Sequence, residues 1–365
     1  MREVWIGSED VSSSDPFSLT PIRYNRRWQM FDLSRTTADS LKGRRIAIVG
    51  DLVADQFLAG SISRVSREAP VFILKHEKTD TRPGGAANAA ANVASLGGIP
   101  LVVGVIGEDA NGLSLIESLN VANVDTKFVL KVPNAETTTK VRVLAGQNYS
   151  PKQQVIRIDY EKDCAFDQSL RSSLIENLRH ASDGAHAIVI SDYGYGVVDQ
   201  ELFDEAMRLA TDRNVPLIVD SRFRLREFAG ATSGTPNLEE VEKLLGVGFS
   251  DADCVELCRQ LGYKSLLVTC GNEGMLLVEP DASPHRIAAV GSTVPVDVTG
   301  AGDTVIAAFA LGLAAGLNFR DAAMIANHAG GIVVMKKGTA TASIDELLAS
   351  LADNEVNSAT QDISA

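Results

Sequence analysis

Long apolar runs are absent from this chain of 365 residues. The longest, residues 305–317, is shorter than the roughly 18 consecutive apolar residues that a membrane-spanning helix needs. The amino-terminal segment MREVWIGSEDVSSSDPFSLT also lacks the basic region and apolar stretch of a secretory signal peptide. We therefore expect a soluble, cytoplasmic protein with no membrane partner.

Cysteine is scarce, and the few cysteines form no pattern. The chain has 4 of them: Cys164, Cys254, Cys258 and Cys270. They show neither the paired spacing of a zinc site nor the density of a disulfide scaffold. Free cysteine usually behaves as a small hydrophobic residue, so we expect buried, reduced thiols.

Positive charge is in deficit. Lysine and arginine number 34 against 47 acidic residues, which gives a formal net charge of −13. An acidic protein is not attracted to nucleic acid or to anionic membrane surfaces, so we expect neither as a partner. An anionic substrate must then be met by a local cluster of basic groups and backbone amides.

What the chain does contain is a series of short Val/Ile/Leu runs that alternate with helical segments. The runs are residues 45–51, 101–107, 187–192, 216–220 and 265–269, and the predicted helices are 86–96, 109–119, 167–180, 199–212 and 251–261. This alternation predicts an α/β fold with a mostly parallel central sheet and helices on both faces. Ligands bind such sheets beyond the carboxyl ends of the strands, where the chain places Asp51, Asp192, Asp220 and Thr269.

Three segments depart from this pattern by alternating apolar and polar residues. Residues 71–77, 139–146 and 153–159 predict half-exposed antiparallel strands, and therefore a small projecting β-lid near residues 57–78 and 137–160. Edge strands tend to seek a partner, so we expect a homodimer formed through the lid. Residues 1–43 are predicted as an N-terminal extension, residues 44–352 as the globular domain and residues 353–365 as a flexible tail.

The stretch VDVTGAGDT, residues 296–304, places an acidic residue at the mouth of an apolar helix. The small residues Gly300, Ala301 and Gly302 let an anion approach the backbone N–H groups of a helix N-terminus. A carboxylate at Asp303 repels a bound phosphate, so its presence requires an explanation, and one explanation is that it serves as a general base toward an attacking hydroxyl. The alternative is a favourable charge in the first helical turn, and this stretch alone does not decide between them.

Three further motifs have both a functional and a structural interpretation. RPGGAANAAANVASLGG, residues 82–98, is a glycine-rich turn before a small-residue helix; its Asn88 suits sugar hydroxyls, or the segment merely packs tightly. VTCGNEG, residues 268–274, can border a nucleotide. TPNLEE, residues 235–240, either holds a magnesium-bound water through Glu240 or starts a helix with ordinary capping. No P-loop or protein-kinase pattern is present in the sequence.

These motifs, in this order, resemble the ribokinase-like, PfkB-type carbohydrate kinase family over residues 44–352. The resemblance implies that Asp303 is the catalytic base and that the amides of Gly300, Ala301 and Gly302 form an anion hole. It implies a sugar pocket lined by Asp55, Gly84, Gly85, Asn88 and Arg142. It assigns the nucleotide side to Asn237, Glu240, Thr269, Gly271, Gly274 and Asn327.

The resemblance also implies the cofactors and the kind of substrate. ATP is the expected phosphoryl donor, Mg²⁺ is expected near Glu240, and K⁺ is a candidate ion beside Asp297 and Thr299. Within the family the chain is most similar to D-glycero-β-D-manno-heptose 7-phosphate kinases, which phosphorylate the anomeric O1. The alternatives are a kinase of another sugar or sugar phosphate, and a non-catalytic nucleotide- or sugar-binding homologue.

A phosphorylated substrate requires basic partners, and the chain has several near the predicted lid. They are Arg64, Arg67, Arg82, Lys140, Arg142 and Arg157. The sequence departs from the usual pattern of these kinases at Arg67, Tyr195, Ser221 and Arg222, positions where substrate identity can be set. No nucleotidyltransferase domain, which is fused to many such kinases, is found in the sequence, so we expect a stand-alone kinase.

Overall fold

The computed structural model describes residues 39–147, 151–161, 166–292 and 294–361. Most of the predicted N-terminal extension, the last four residues of the predicted tail, and Cys164 lie outside these ranges. Within them, the strands are β1 Arg45–Gly50, β2 Leu52–Val65, β3 Phe72–Gly85, β4 Ile99–Gly107, β5 Val129–Val132, β6 Thr139–Gly146, β7 Gln153–Tyr160, β8 Ala187–Asp192, β9 Leu217–Ser221, β10 Ser233–Gly234, β11 Ser265–Thr269, β12 Met275–Val278 and β13 His285–Ile287.

The helices of the described residues cover the faces of the central sheet. They are α1 Ala86–Ser95, α2 Ala110–Val121, α3 Gln168–Ala181, α4 Gln200–Arg213, α5 Leu238–Leu245, α6 Asp251–Gln260, α7 Ala301–Ala314, α8 Phe319–Val333 and α9 Ile344–Gln361. The last helix continues into the segment predicted as a flexible tail. No helix in this part of the chain is long and apolar enough to cross a bilayer.

The central sheet has nine strands in the order β13-β12-β11-β10-β9-β8-β1-β4-β5. The pairings from β10–β11 through β4–β5 are parallel, whereas the β11–β12 and β12–β13 pairings are antiparallel, so only β12 runs against the other strands. Successive residues of β1 point to opposite faces: Ile46 and Ile48 join one buried cluster, and Ala47 and Val49 join the other. Burial on both faces confirms the predicted α/β architecture.

The second sheet is the predicted lid. It has four strands in the order β3-β2-β6-β7. The β2–β3 and β6–β7 pairings are antiparallel as expected, whereas β2–β6 is parallel. This sheet extends beyond the predicted segments because β2 begins at Leu52 and β3 ends at Gly85. The RPGG stretch predicted as a turn is therefore the end of β3, which leads directly into α1.

Candidate active site

Asp303 lies in the first turn of α7, at the end of an apolar helix, as the sequence predicts. Its side chain is almost completely buried, with the residue 2% exposed. The Tyr193 hydroxyl donates to its Oδ1 at 2.6 Å, and the Asn88 amide donates to its Oδ2 at 2.9 Å. Two directional hydrogen bonds from different elements thus fix the orientation of this carboxylate.

The electrostatics of Asp303 suit a general base. Burial raises its pKa to about 6, although the hydrogen bonds from Tyr193 and Asn88 and the charge of Arg222 act in the opposite direction. Burial also raises the pKa of Tyr193 well above its ordinary value, so its phenol remains a donor. A carboxylate with a pKa close to neutrality accepts a proton more readily than an exposed aspartate does.

Gly300 precedes α7 in a left-handed conformation, with φ of 76°. A Cβ atom here would lie 2.5 Å from Nδ2 of Asn88 and 2.8 Å from Cγ2 of Thr339. Glycine is therefore required for both the backbone angle and the close approach of Asn88. The Ala301 N–H is already used, because it donates to the Val298 carbonyl at 3.2 Å. A Cβ atom on Gly302 would meet open space, so crowding does not require glycine at that position.

Asp55 lies at the junction between the lid and the central sheet, in β2, and is 5% exposed. Arg142 of β6 donates to its Oδ1, and the Thr339 hydroxyl donates to its Oδ2 at 3.0 Å. A Cβ atom on Gly84 would lie 2.7 Å from the same carboxylate. The structure thus brings together Asp55, Gly84 and Arg142, all predicted on the sugar side.

The remaining residues of that pocket join it to Asp303. Asn88 receives bonds at its backbone carbonyl and Oδ1 from the Asn92 amide, at 3.0 and 3.2 Å. These bonds leave the Asn88 amide group directed at Asp303 and at the Gly300 carbonyl. Gly85, the residue before α1, packs against the Asp51 carbonyl. The predicted sugar pocket therefore adjoins Asp303.

Tyr193 lies in the loop after β8, in which the sequence singles out Tyr195 but not Tyr193. Asp51, 1% exposed, accepts backbone N–H bonds from Tyr193, Tyr195 and Val197 at 2.7, 3.1 and 3.3 Å. Burial raises the pKa of Asp51 to about 6 despite these bonds. The carboxyl end of β1 thus organises the segment that places the Tyr193 hydroxyl on Asp303.

On the predicted nucleotide side, Asn237 and Glu240 form a reciprocal capping box at the start of α5. The Glu240 N–H donates to Asn237 Oδ1 at 3.0 Å, and the Asn237 N–H donates to Glu240 Oε2 at 2.9 Å. The capping interpretation therefore holds, and it leaves the second oxygen of Glu240 for a ligand. Partial burial raises the pKa of this carboxyl.

The other nucleotide-side residues lie at the end of β11, in the turn that follows it and within α8. Thr269 pairs with Asn237 in an isolated bridge. A Cβ atom on Gly274 would collide with the backbone of residues 287–289. The Asn327 side-chain amide donates to the Ala288 carbonyl of the same segment at 2.7 Å. Asn327 also lines a cavity of about 1030 Å³ between this segment, α8 and α9. Gly271 is exposed at the turn between β11 and β12.

The residue predicted to bind Mg²⁺, Glu240, does not belong to a cluster of metal ligands. Among the described residues, no group of three or more His, Cys, Asp or Glu side chains forms a metal cage. Mg²⁺ usually retains several waters and binds one or two carboxylates plus substrate phosphates, and the partly buried Glu240 fits that mode.

Asp297 and Thr299 suit a monovalent cation instead. Burial acts to raise the pKa of Asp297, but hydrogen bonds from the Thr299 side chain and from the Thr299 and Gly338 N–H groups, the last two at 3.0 and 2.8 Å, hold it below its usual value. The carboxylate therefore stays ionised, as a cation site requires.

Most of the basic residues predicted near the lid are already paired. Lys140 contacts Asp159, Glu161 and the Tyr195 hydroxyl at 3.3, 2.6 and 2.7 Å. Similarly, Arg82 pairs with Asp80, Arg142 with Asp55 and Arg157 with Asp159. Arg64 and Arg67 form no ion pair with any described residue.

Two positions that depart from the usual kinase pattern are also structural. The Ser221 hydroxyl donates to the buried Asp192 at 2.7 Å, so it faces the interior. The Tyr195 hydroxyl donates to Glu161 at 2.5 Å and joins the lid to the Asp51 loop.

Residues 45–347 match the pfkB family of carbohydrate kinases. The chain belongs to this family. This family comprises carbohydrate kinases, which are phosphotransferases with an alcohol group as acceptor. The family match covers the central sheet, the lid, Asp303 and all the residues predicted to line the site.

Two solved structures show the same fold. Ribokinase of Arabidopsis thaliana, complexed with ribose and ATP, has a TM-score of 0.64 and 22% identity, covering 85% of this chain and 99% of the ribokinase. Phosphofructokinase-2 of Escherichia coli, in complex with fructose-6-phosphate, has a TM-score of 0.67 and 20% identity, covering 85% and 99%. At these identities the likeness concerns the fold alone.

More similar sequences are found among bifunctional proteins. HldE of Gluconobacter oxydans is 37% identical over 315 residues, which are 85% of this chain and 64% of HldE. HldE of Shewanella putrefaciens is 38% identical over 313 residues, with coverages of 84% and 63%. The chain thus spans less than two thirds of the length of these relatives.

Sequence reasoning missed three residues that complete the site: Tyr193, Thr339 and Asp51 in its supporting role. Tyr193 and Thr339 contact Asp303 and Asp55 across 110 and 284 residues of sequence. The sequence indicates Asp51 only as a polar residue at a strand end. Local spacing carries no signal for such distant pairs.

The three described cysteines, Cys254, Cys258 and Cys270, are buried free thiols, as predicted. Burial raises the pKa of Cys254 to about 11 and that of Cys258 to about 12, so neither is a thiolate near neutral pH.

Proposed function

We propose that this kinase transfers the γ-phosphoryl group of ATP to the anomeric O1 of D-glycero-D-manno-heptose 7-phosphate, forming the 1,7-bisphosphate. The observation that carries this proposal is the 37% identity to HldE along 85% of the chain. The motifs shared with D-glycero-β-D-manno-heptose 7-phosphate kinases support the same assignment.

In the proposed reaction, Asp303 accepts the proton of the sugar hydroxyl. The sugar oxygen forms a bond to the γ-phosphorus as the bond between that phosphorus and the β–γ bridging oxygen breaks, and ADP leaves. Asn88 and Tyr193 hold Asp303 in position, while Asp55 orients the sugar. Backbone amides at Gly300 and Gly302 would donate to the anion, and Ala301 would join them by releasing its bond to Val298.

The cofactors follow from the residues available. Asn237, Glu240, Thr269, Gly271, Gly274 and Asn327 would border ATP. Mg²⁺ held near Glu240 would neutralise phosphate charge, and K⁺ is proposed beside Asp297 and Thr299. Because ATP is the donor, we place the reaction in the cytoplasm.

A phosphorylated substrate needs cations beyond those already paired. Arg64 and Arg67 of the lid are available, whereas Arg142 would have to share its guanidinium between Asp55 and the ligand. The main alternative is therefore a kinase of another sugar or sugar phosphate, because the basic residues do not by themselves specify a heptose.

The test is ATP-dependent ADP release with a panel of sugars and sugar phosphates, in the presence of Mg²⁺ and K⁺. Turnover restricted to the heptose 7-phosphate is the expected result. Strong turnover with a different sugar would overturn the substrate while leaving the site intact. Asp303→Asn should abolish turnover yet retain ATP binding, measured by calorimetry; an active variant would overturn the role of Asp303 as base.

We also propose a homodimer formed through the lid. The outer strand β7 is exposed along its length, with Val155, Ile156 and Ile158 at 53%, 54% and 42%, and Phe72 of the opposite edge strand at 61%. Exposed apolar edge strands favour pairing with another copy. Light scattering should give a dimeric mass, and Ile156→Lys with Ile158→Lys should give a monomer.

A further inference from the structure

Arg222 occupies the loop that follows the carboxyl end of β9, near the middle of the central sheet. Its backbone N–H donates to the Asp192 carbonyl at 3.2 Å, which fixes the start of the loop. Its guanidinium lies 4.7 Å from the centre of the Tyr193 ring. The same tyrosine donates to Asp303 at 2.6 Å, so Tyr193 contacts both the guanidinium, through its ring, and the carboxylate, through its hydroxyl.

The guanidinium of Arg222 is exposed and forms no ion pair with any described residue. By contrast, Arg224 of the same loop is bound to Asp192 at 2.6 Å, and the buried Arg142 is bound to Asp55. An aromatic face positions a guanidinium without satisfying its N–H donors. Arg222 is thus a held cation whose hydrogen-bonding groups remain free for an anion.

The charge of Arg222 acts on both halves of the site. It lowers the pKa of Asp303, on the sugar side, against the raising effect of burial. It does the same for Glu240, on the nucleotide side, and for Asp220 at the end of β9. Arg222 is therefore close enough to act electrostatically on all three carboxyl groups. An ionised Asp303 repels phosphate, and a positive charge nearby offsets that repulsion.

We propose that Arg222 donates hydrogen bonds to the transferring phosphoryl group and stabilises its negative charge during transfer. Arg222 gains and loses no proton, and the bonds that form and break are those of the kinase reaction itself. The proposal rests on the proposed roles of Asp303 and Glu240. Arginine suits this task because its planar fork matches phosphate oxygens. Binding of the transferring phosphoryl group would give Arg222 a catalytic function in place of the specificity role expected from the sequence.

The test compares Arg222→Met and Arg222→Lys with the parent enzyme, using the sugar that gives the highest turnover. Loss of one donor to a transition-state oxyanion typically lowers kcat about 100-fold, which is the loss we expect for Arg222→Met. Arg222→Lys should recover most of this loss because the charge is retained. The KM for the sugar should change little. The acidic limb of the pH profile should move to higher pH in Arg222→Met, because the charge that lowers the pKa of Asp303 is removed.

Arg226→Met is the matched control, since Arg226 is exposed on the same loop and bonds to the Leu244 carbonyl. It should leave kcat unchanged, and thermal melts should show all three variants folded. The proposal is overturned if Arg222→Met keeps kcat within about threefold of the parent, or if only the KM for the sugar rises. The Asp303→Asn variant distinguishes failure of this proposal from failure of the proposed function. If Asp303→Asn is inactive while Arg222→Met is fully active, Asp303 stands as the base and Arg222 has no catalytic role.

Discussion

Tyr193 donates the hydrogen bond that fixes Oδ1 of Asp303, at 2.6 Å, from a loop anchored on the buried Asp51. A phenol with a raised pKa remains a donor over the whole working range of pH, so the contact orients the carboxylate without competing for its proton. The proposed base is therefore positioned by the central sheet through Tyr193 and by α1 through Asn88.

Removing this hydroxyl by Tyr193→Phe should lower kcat about tenfold, because the base loses one of its two orienting donors. The acidic limb of the pH profile should also move upward, since the Tyr193 bond lowers the pKa of Asp303. Tyr195→Phe is the control: its hydroxyl contacts Lys140 and Glu161 and does not reach Asp303. Equal kinetic effects in the two variants would show that the Tyr193 contact has no special importance.

The pH dependence of the reaction should show the raised pKa of Asp303. Because burial places that pKa at about 6, kcat/KM should be constant above pH 7 and fall about tenfold per unit below pH 6. The sign follows from the base being active only when ionised. Initial rates in a mixed buffer series would test this, with melting temperatures at each pH to separate unfolding. Activity that persists unchanged at pH 5 would contradict the assignment.

The sequence predicted the order and bounds of the main strands and helices to within a few residues. These elements are predictable because their signals are local. Apolar runs of strand length recur along the chain and are bounded by glycine or asparagine, and α7 directly follows its turn of small residues. It also placed Asp303 in the first turn of that helix. These features depend on residues close together in the chain.

The supporting contacts could not be predicted in this way. The Asp55–Thr339 and Tyr193–Asp303 pairs form only when distant elements meet, and neither position has a distinctive neighbourhood in the sequence. The ion pairs formed by the basic side chains of the lid could not be predicted for the same reason. Lys140 and Arg157 were expected to be available to a phosphate, and the fold places Asp159 against both.

Alanine substitutions at Gly300 and Gly316 would distinguish the effect of backbone strain from the effect of crowding at the site. Both have a positive φ, 76° and 88°, but a Cβ would meet Asn88 and Thr339 only at Gly300, while Gly316 faces open space. Each substitution by alanine should lower the free energy of unfolding by about 1 kcal/mol through backbone strain. Only Gly300→Ala should also lose most of its turnover, because Asn88 is displaced from Asp303. Denaturant melts and ADP release would measure the two effects, and an active Gly300→Ala enzyme would contradict the tight fit.

Arg142 and Arg157 face each other across β6 and β7, yet they should respond very differently to substitution. Arg142 and its partner Asp55 are buried, with side chains 9% and 7% exposed, whereas the Arg157 side chain is 52% exposed. Arg142→Met leaves the Asp55 carboxylate buried with only Thr339 as a partner, and breaking such a pair typically destabilises by about 3–5 kcal/mol.

Arg157→Met breaks a surface pair and should change stability by less than about 1 kcal/mol. If Arg142→Met still folds at low temperature, its KM for the sugar should rise because Asp55 is no longer oriented. The double variant with Asp55→Asn should recover part of the lost stability, since the unpaired charge is then removed, but it should not recover sugar binding. Equal stability losses at the two arginines, measured by urea denaturation, would show that the Asp55 pair is not the buried anchor of the sugar pocket.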